Sequence, residues 1–331
     1  MTIEFDNVYV KESSSVAGKL EKEGNLGNLY DKAYDDYYIG EKTFEKAEIK
    51  MINDAIDIVL KKANMKIDDI NVIIGSDLLN QNTVSSYSMI KYNRPYLGVY
   101  NACASMCEEI IIASSLLKNN NIKNILITSS SHNLTAERQY RNPVEYGCPK
   151  PKRSTYTVTG VGTLILTNEK NRVKVSSVTI GIPTDKGVTD TYDMGSVMVP
   201  SAAVTIYNHL KNTNTKPDDY DLILTGDLGV YGKEILKQYM KNEYEINLGK
   251  NYEDSACIIY DREKQKEVNA GGSGVGCLPL VAYSKVLKEM NDKKLKRVLL
   301  VATGALMNST MNNQKFSIPS ISHAVCLEVG K

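Results

Sequence analysis

The sequence predicts an α/β protein made of two copies of one strand-and-helix unit. Two observations carry that prediction. Short apolar runs at 72–75, 96–99, 125–128, 162–166 and 173–178 alternate with helix-like stretches at 43–63, 108–117 and 201–211. Such alternation is the mark of a parallel sheet with crossover helices. The chain also repeats itself. Asp68-Asp69-Ile70-Asn71-Val72-Ile73-Ile74-Gly75-Ser76-Asp77-Leu78 has a gapless counterpart in Asp218-Asp219-Tyr220-Asp221-Leu222-Ile223-Leu224-Thr225-Gly226-Asp227-Leu228. Lys123-Asn124-Ile125-Leu126-Ile127-Thr128 matches Lys296-Arg297-Val298-Leu299-Leu300-Val301, and a small-residue turn plus a helix precedes each, at 101–117 and 271–290. Three matches in one order argue for duplication. The halves are taken as 1–170 and 171–331, the break falling within 167–200, and they are expected to pack as one cooperative unit.

Taken in order, residues 1–42 read as a loop-rich opening segment with Gly18, Gly24, Gly27 and Gly40. Stretch 43–63 is an amphipathic helix, with Phe44, Ala47, Met51, Ala55 and Val59 at helical spacing and Thr43 as its cap. Run 96–99 reads as a buried strand starting after Pro95. The helix at 108–117 carries Met106, Ile110, Ile111, Ser114 and Leu117 along one side. From 129 to 154 periodicity is lost, and a long loop inside a compact domain is usually functional. A second polar loop covers 185–198. His209 lies on the 201–211 helix and reads as a surface residue.

Several classes of function are excluded or disfavoured. A net charge of +1 gives no basic field for nucleic acid. The start, Met1-Thr2-Ile3-Glu4-Phe5-Asp6, lacks the pattern of a signal peptide, and no apolar run approaches a spanning helix. Six scattered cysteines without a C-x-x-C pair fit reduced thiols in a reducing compartment, and no metal site is expected.

Cys103 is the chemically pointed residue. It follows a strand and precedes a helix, where free N–H groups and the helix dipole favour anions and lower a thiol pKa. Its plainer fate is a small buried apolar residue. The second-half counterpart of this turn is Gly271-Gly272-Ser273-Gly274-Val275-Gly276-Cys277. A pseudo-two-fold axis sets the two turns face to face, and ligands of such sheets bind at the carboxyl ends of strands. Asp77 and Asp227 are related by the repeat, and either cap the following helix or line the pocket floor. Asn80 and Asn82 are pocket donors or turn residues. His132, beside Asn133, donates to a ligand or merely organises its loop. His323 is structural or pocket-lining. Arg138 and Arg141 are solvated charges or fork donors to a carboxylate.

A duplicated βαβ chain with a cysteine at a helix start resembles the thiolases and ketoacyl synthases. Cys103-Ala104-Ser105 resembles the thiolase nucleophile segment. Gly271 to Leu280 resembles the glycine-rich turn that bears a catalytic His in thiolases or an Asn in ketoacyl-carrier-protein synthase III. Residues 297–306 resemble the late strand and glycine turn of the synthases. A more specific likeness covers nearly the whole chain. Gly75-Ser76-Asp77-Leu78-Leu79-Asn80-Gln81-Asn82, Ser130-Ser131-His132-Asn133-Leu134-Thr135-Ala136-Glu137-Arg138-Gln139, Thr189-Asp190-Thr191-Tyr192-Asp193-Met194-Gly195-Ser196 and Ala302-Thr303-Gly304-Ala305-Leu306 resemble the stage V sporulation protein AD family of spore-forming Firmicutes.

That resemblance implies a thiolase-like five-layer α/β/α/β/α fold of two duplicated halves. It implies a non-enzymatic protein that binds dipicolinic acid, possibly with calcium, for small-molecule transport into the developing spore, with a link to germination. Its implied partners are other stage V A sporulation proteins, some membrane-embedded. The implied location is peripheral on the spore inner membrane, through those partners. A homodimer through 96–99 is implied too. No cofactor is expected. The implied ligand-binding residues are Cys103, His132, Asn133, Asp227, Arg138, Asp77, Gly272 and His323. Against the synthase pattern, Asp227 stands where they carry His and Gly272 where they carry Asn; Cys277 or Leu278 stands at the thiolase His. The alternative is an acyl-CoA condensing or acyl-transfer enzyme using Cys103; a third is a pure scaffold for membrane subunits.

Overall fold

The computed structural model describes residues 1–140 and 150–330. Arg141 therefore lies outside the described residues. The first half contributes β1 (Tyr9–Ala17), β2 (Val72–Ser76), β3 (Tyr96–Gly98), β4 (Asn124–Ser131) and β5 (Gly160–Thr167). The second contributes β6 (Val173–Thr179), β7 (Leu222–Thr225), β8 (Tyr252–Asp254), β9 (Arg297–Ala305) and β10 (Ser320–Val329). Spatial order is β3-β2-β4-β5-β1 in one half and β8-β7-β9-β10-β6 in the other, one topology used twice. The β2 and β7 strands pair in parallel with both neighbours; β4 with β5 and β9 with β10 are antiparallel. The halves join where Tyr9 pairs with Lys174.

The duplication extends to single hydrogen bonds. Lys66 N–H donates to Asp69 at 2.7 Å, and Lys216 N–H donates to Asp219 at 2.7 Å. Asn71 Oδ1 accepts from the N–H groups of Lys123 and Asn124, as Asp221 Oδ2 does from Lys296 and Arg297. These side chains fix where each parallel strand begins, and so its register.

Helices make three layers around the two five-stranded halves of this continuous sheet. Helix α1 (Phe44–Ala63) starts at Thr43, whose hydroxyl accepts from Lys46 N–H at 3.3 Å. Its buried stripe of Ala47, Met51, Ile52, Ala55, Ile56 and Val59 covers β1, β4 and β5, and it ends on left-handed Asn64. Helix α2 (Thr83–Met89) packs beside it. In the centre, α3 (Ser105–Leu116) touches β2 and β4 of its own half and β9 and β10 of the other. Past α4 (Asn133–Tyr140), helix α5 (Met194–Thr213) covers β6, β9 and β10 on the far side, with α6 (Gly229–Tyr244) against it. The central partner of α3 is α7, running through Cys277–Val281, a π-helical turn Ala282–Val286 and Leu287–Asn291, and packed on β1 and β5. Its last part, Leu287–Asn291, also meets β6, so both central helices are shared by the two halves of the sheet, which gives the α/β/α/β/α layering and three apolar cores.

Four local expectations are corrected. The opening segment contains β1, whose Ser13-Ser14-Ser15 run hides the strand pattern. These serines are buried, and Ser14 Oγ donates to Ala55 O at 2.7 Å under α1. The region after 129 is not structureless: β4 continues to Ser131 and α4 follows. The strand at 96–99 is an exposed edge rather than buried, with Leu97 43% exposed. His209 is not a surface residue; it is buried between Thr179 Oγ1 at 2.8 Å and Tyr220 OH at 3.1 Å.

Buried carboxyls make stability depend on pH. Burial pushes Glu21 up to about 7 and raises Glu48, which also feels Asp77. The folded chain then holds protons that the unfolded chain has released. That stabilisation is complete near pH 4.5 and is lost as pH rises through the folded values. The buried histidines, pushed down to about 4, act only below pH 6.5. From pH 6.5 to 8.5 the melting temperature should therefore fall, Glu21 alone contributing on the order of 1 kcal/mol. Differential scanning calorimetry of Glu21→Gln should show a shallower fall.

Candidate functional site

The turn before α3 builds the site. Ala102 takes a left-handed conformation, φ +47°, unusual for a residue with a Cβ. Asn101 N–H donates to Ser105 Oγ at 3.0 Å, and that hydroxyl donates to Ala102 O at 2.7 Å. The Ala104 and Ser105 N–H groups close the turn on Asn101 O and Ala102 O. Those two helix-start donors are thus used internally, and the dipole of α3 remains. From the other half, Gly304 at the end of β9 presses on this turn. A Cβ there would lie 2.7 Å from Asn101 O.

Cys103 opens onto a cavity of about 160 Å³. Its walls are Tyr100 and Ala102, Leu78, then Ala136, Glu137 and Tyr140 of α4, Met194 and Met198 of α5, and Leu306, Met307 and Asn308 after β9. A two-strand ribbon, Tyr156–Thr157 against Gly272–Ser273, closes one side with Thr157, Ser273 and Gly274. The lining is mostly apolar. Its polar groups include the paired hydroxyls of Tyr100 and Tyr140, the latter reaching Leu78 O at 2.7 Å. Glu137 is buried and bound to Lys150 Nζ at 2.6 Å, the charged pair of this wall.

Of the eight candidate ligand-binding residues, Cys103 lines the cavity and the other seven do not. Asp77 is a structural cap: it accepts from Leu79 N–H and Ser85 N–H, each at 2.8 Å, and from Ser85 Oγ at 2.7 Å. Its repeat partner Asp227 behaves differently. Asp254 accepts from Leu228 N–H at 3.2 Å and Gly229 N–H at 3.1 Å, taking over the cap of α6. Asp227 is left fully buried, without a conventional partner on either oxygen, facing the Cys277 and Cys103 thiols. Burial, then the charge of Asp254, hold its carboxyl well above the usual carboxylate range.

His132 does not overhang the cleft. Its Nε2 meets Tyr37 O at 2.8 Å, its Nδ1 accepts from Leu134 N–H at 3.3 Å, and its ring stacks on Phe44. Burial pushes it down to about 4. Asn133 donates to Thr157 O at 3.1 Å and so ties α4 to the ribbon. Arg138 turns away to pair with Glu45. Asn82 is buried and Asn80 exposed; neither lines the cavity. Gly272 is buried in the ribbon, a Cβ there meeting Ile259 at 2.9 Å. His323 stands behind the Cys103 turn: Nε2 lies 3.0 Å from the Asn101 amide and Nδ1 accepts from Gly181 N–H at 3.0 Å. Burial pushes it down to about 4. Sequence reasoning missed Tyr100, Glu137, Tyr140 and the three methionines. Once 133–140 is read as a helix, Ala136, Glu137 and Tyr140 fall on one face.

The fold and the Cys103 turn define the class, a thiolase-like condensing-enzyme fold. An OleA variant from Xanthomonas campestris aligns with a TM-score of 0.63 at 15% identity, over 98% of this chain and 99% of that one. The 3-oxoacyl-[acyl-carrier-protein] synthase III of Aquifex aeolicus aligns at 0.59 and 14%, over 97% and 99%. At such identities the likeness is one of fold. In sequence, the family model for stage V sporulation protein AD matches residues 1–328. The stage V sporulation protein AD of Bacillus subtilis (strain 168) is 42% identical over 322 residues, 97% of this chain and 94% of its own length. The chain belongs to the stage V sporulation protein AD family, a family of sporulation proteins.

Cys107, Cys277 and Cys326 are buried, and burial pushes Cys107 up to about 12, whereas Cys103 opens on the cavity. In the native protein at pH 8, iodoacetamide should modify Cys103 well before those three, as peptide mass spectrometry will register. Equal rates at all four would mean the cleft is closed.

Proposed function

We propose that the chain binds dipicolinic acid, alone or as its calcium chelate, in the Cys103 cleft, without covalent chemistry, within the machinery that loads it into the developing spore. The observation that carries the reading is the cleft itself in a chain of this family. About 160 Å³ suits one ring-sized molecule, since a cavity of roughly 150 Å³ takes benzene. The start of α3 supplies a positive dipole end for a carboxylate, Tyr100 and Tyr140 supply hydroxyls, and methionines supply apolar faces for a flat ring. The three histidines of the chain are engaged elsewhere by hydrogen bonds, which leaves the Cys103 thiol without the imidazole partner that condensing chemistry uses as base or donor. Calorimetry of the purified protein with dipicolinate, with and without calcium, should show saturable binding. Cys103→Ala should weaken it partly; Cys103→Leu should abolish it by filling the cleft. Unchanged affinity in the Leu variant would put the ligand elsewhere.

A second reading is acyl transfer from an acyl-CoA, favoured by the apolar lining of Met194, Met198, Leu306 and Met307. An acyl adduct on Cys103 after incubation with acetyl-CoA, found by mass spectrometry, would replace the first reading with this one.

The edge strand β3 exposes Leu97, with Tyr87, Ile90 and Tyr100 exposed on the neighbouring segments. A second copy pairing there edge to edge makes a homodimer with an isologous interface. Light scattering at micromolar concentration should give twice the chain mass, and a charged residue at Leu97 should yield monomer. No helix among the described residues is long and apolar enough to cross a membrane. Attachment to the spore inner membrane through membrane-embedded stage V A partners is part of the same proposal.

A further inference from the structure

We propose that Asp227 is the specificity-determining residue of the cleft, admitting an anion beside Cys103 only while its carboxyl group is protonated. The inference rests on the reading of the cleft as an anion site and names what controls it. Three observations carry it. Asp227 is fully buried, and no nitrogen or oxygen donor meets either of its oxygens; the groups facing them are the Cys277 and Cys103 thiols. The N–H groups at the start of the next helix, which Asp77 serves in the first half, are held in the second half by Asp254 and not by Asp227. And it faces Cys103, which forms the cavity wall.

The groups facing Asp227 can be named from every side. Cys103 comes from the turn before α3, Cys277 from the start of α7, Asp254 from the end of β8, and Thr303 of β9 accepts its N–H at 3.2 Å. None of these is a cation. The charged pair in the cavity wall, Glu137 with Lys150, is internally neutral. An ionised Asp227 would therefore put an uncompensated negative charge behind Cys103, in surroundings that screen it poorly. A neutral carboxyl does not repel an anion. Burial favours the neutral form, so the cleft is anion-accepting at moderate pH and closes to anions as pH rises.

Cys103 itself is the probe. Iodoacetate and iodoacetamide both alkylate a thiolate and release iodide, and they differ in charge. Their rate ratio at Cys103 cancels thiol reactivity and reports the local charge. Measured by peptide mass spectrometry from pH 6.5 up to the highest pH at which the protein stays folded, the ratio of iodoacetate to iodoacetamide should fall in the wild type as Asp227 ionises, by roughly tenfold, the effect of one nearby charge. Asp227→Asn, a neutral isostere, should hold the ratio flat. If that variant misfolds, Asp227→Ser should give the same flat ratio. A flat wild-type ratio, or the same fall in the variants, overturns the proposal. Dipicolinate calorimetry over the same range separates the two claims. A falling, Asp227-dependent ratio with no dipicolinate heat sinks the dipicolinate reading and leaves the charge gate standing.

Discussion

The structure turns on one close contact, between the Cys103 turn of the first half and the end of β9 from the second. Gly304 meets Asn101 O and Ala104 N where a Cβ would not fit. That contact brings both halves to bear on one residue. It holds Ala102 in its left-handed conformation and aims α3 along the middle layer, where the helix packs on strands of both sheets. It also fixes Cys103 at the base of a cavity walled by α4, α5 and the ribbon Tyr156–Thr157 with Gly272–Ser273. The cleft therefore exists only in the assembled pair of halves.

Against this shared frame, the halves have diverged where chemistry is at stake. From equivalent positions in the repeat, Asp77 accepts from N–H groups at the start of the next helix, whereas Asp227 does not and Asp254 accepts from Leu228 and Gly229 instead. The first half has at 103 a thiol facing the cavity; the second has Ser273 and Gly274 on the same wall. A duplicated fold gives two strand-end turns, and only one of them needs to keep a side chain that meets a ligand. The other can supply backbone and space.

Much of the fold was legible because the repeat is written in residues that set register. Asp69 and Asp219, with Asn71 and Asp221, hold backbone N–H groups at strand starts in the same way in both halves. What escaped has definite physical causes. Strand β1 is central yet serine-rich, because small hydroxyl residues fit beneath α1 and find partners on other elements: Ser14 Oγ donates to Ala55 O and Ser15 Oγ to Asp31. Helix α4 carries no helical sequence signal because its polar residues are buried by partners outside the helix: Glu137 by Lys150 and Asn133 by Thr157. The histidines were read by chemistry, but their rings satisfy backbone and side-chain groups contributed by other elements. No local pattern announces such partners. Cys103 was legible because a strand-to-helix turn of small residues is a local signal.

The central claim is that a small aromatic dicarboxylate occupies the Cys103 cleft intact and unbonded. Diffraction from crystals grown with dipicolinate tests this most directly. The account predicts density for a planar ring between Cys103, Tyr140 and Met194, with no covalent link to Sγ. Ring density at another site, or an empty cleft at saturating dipicolinate, would contradict it.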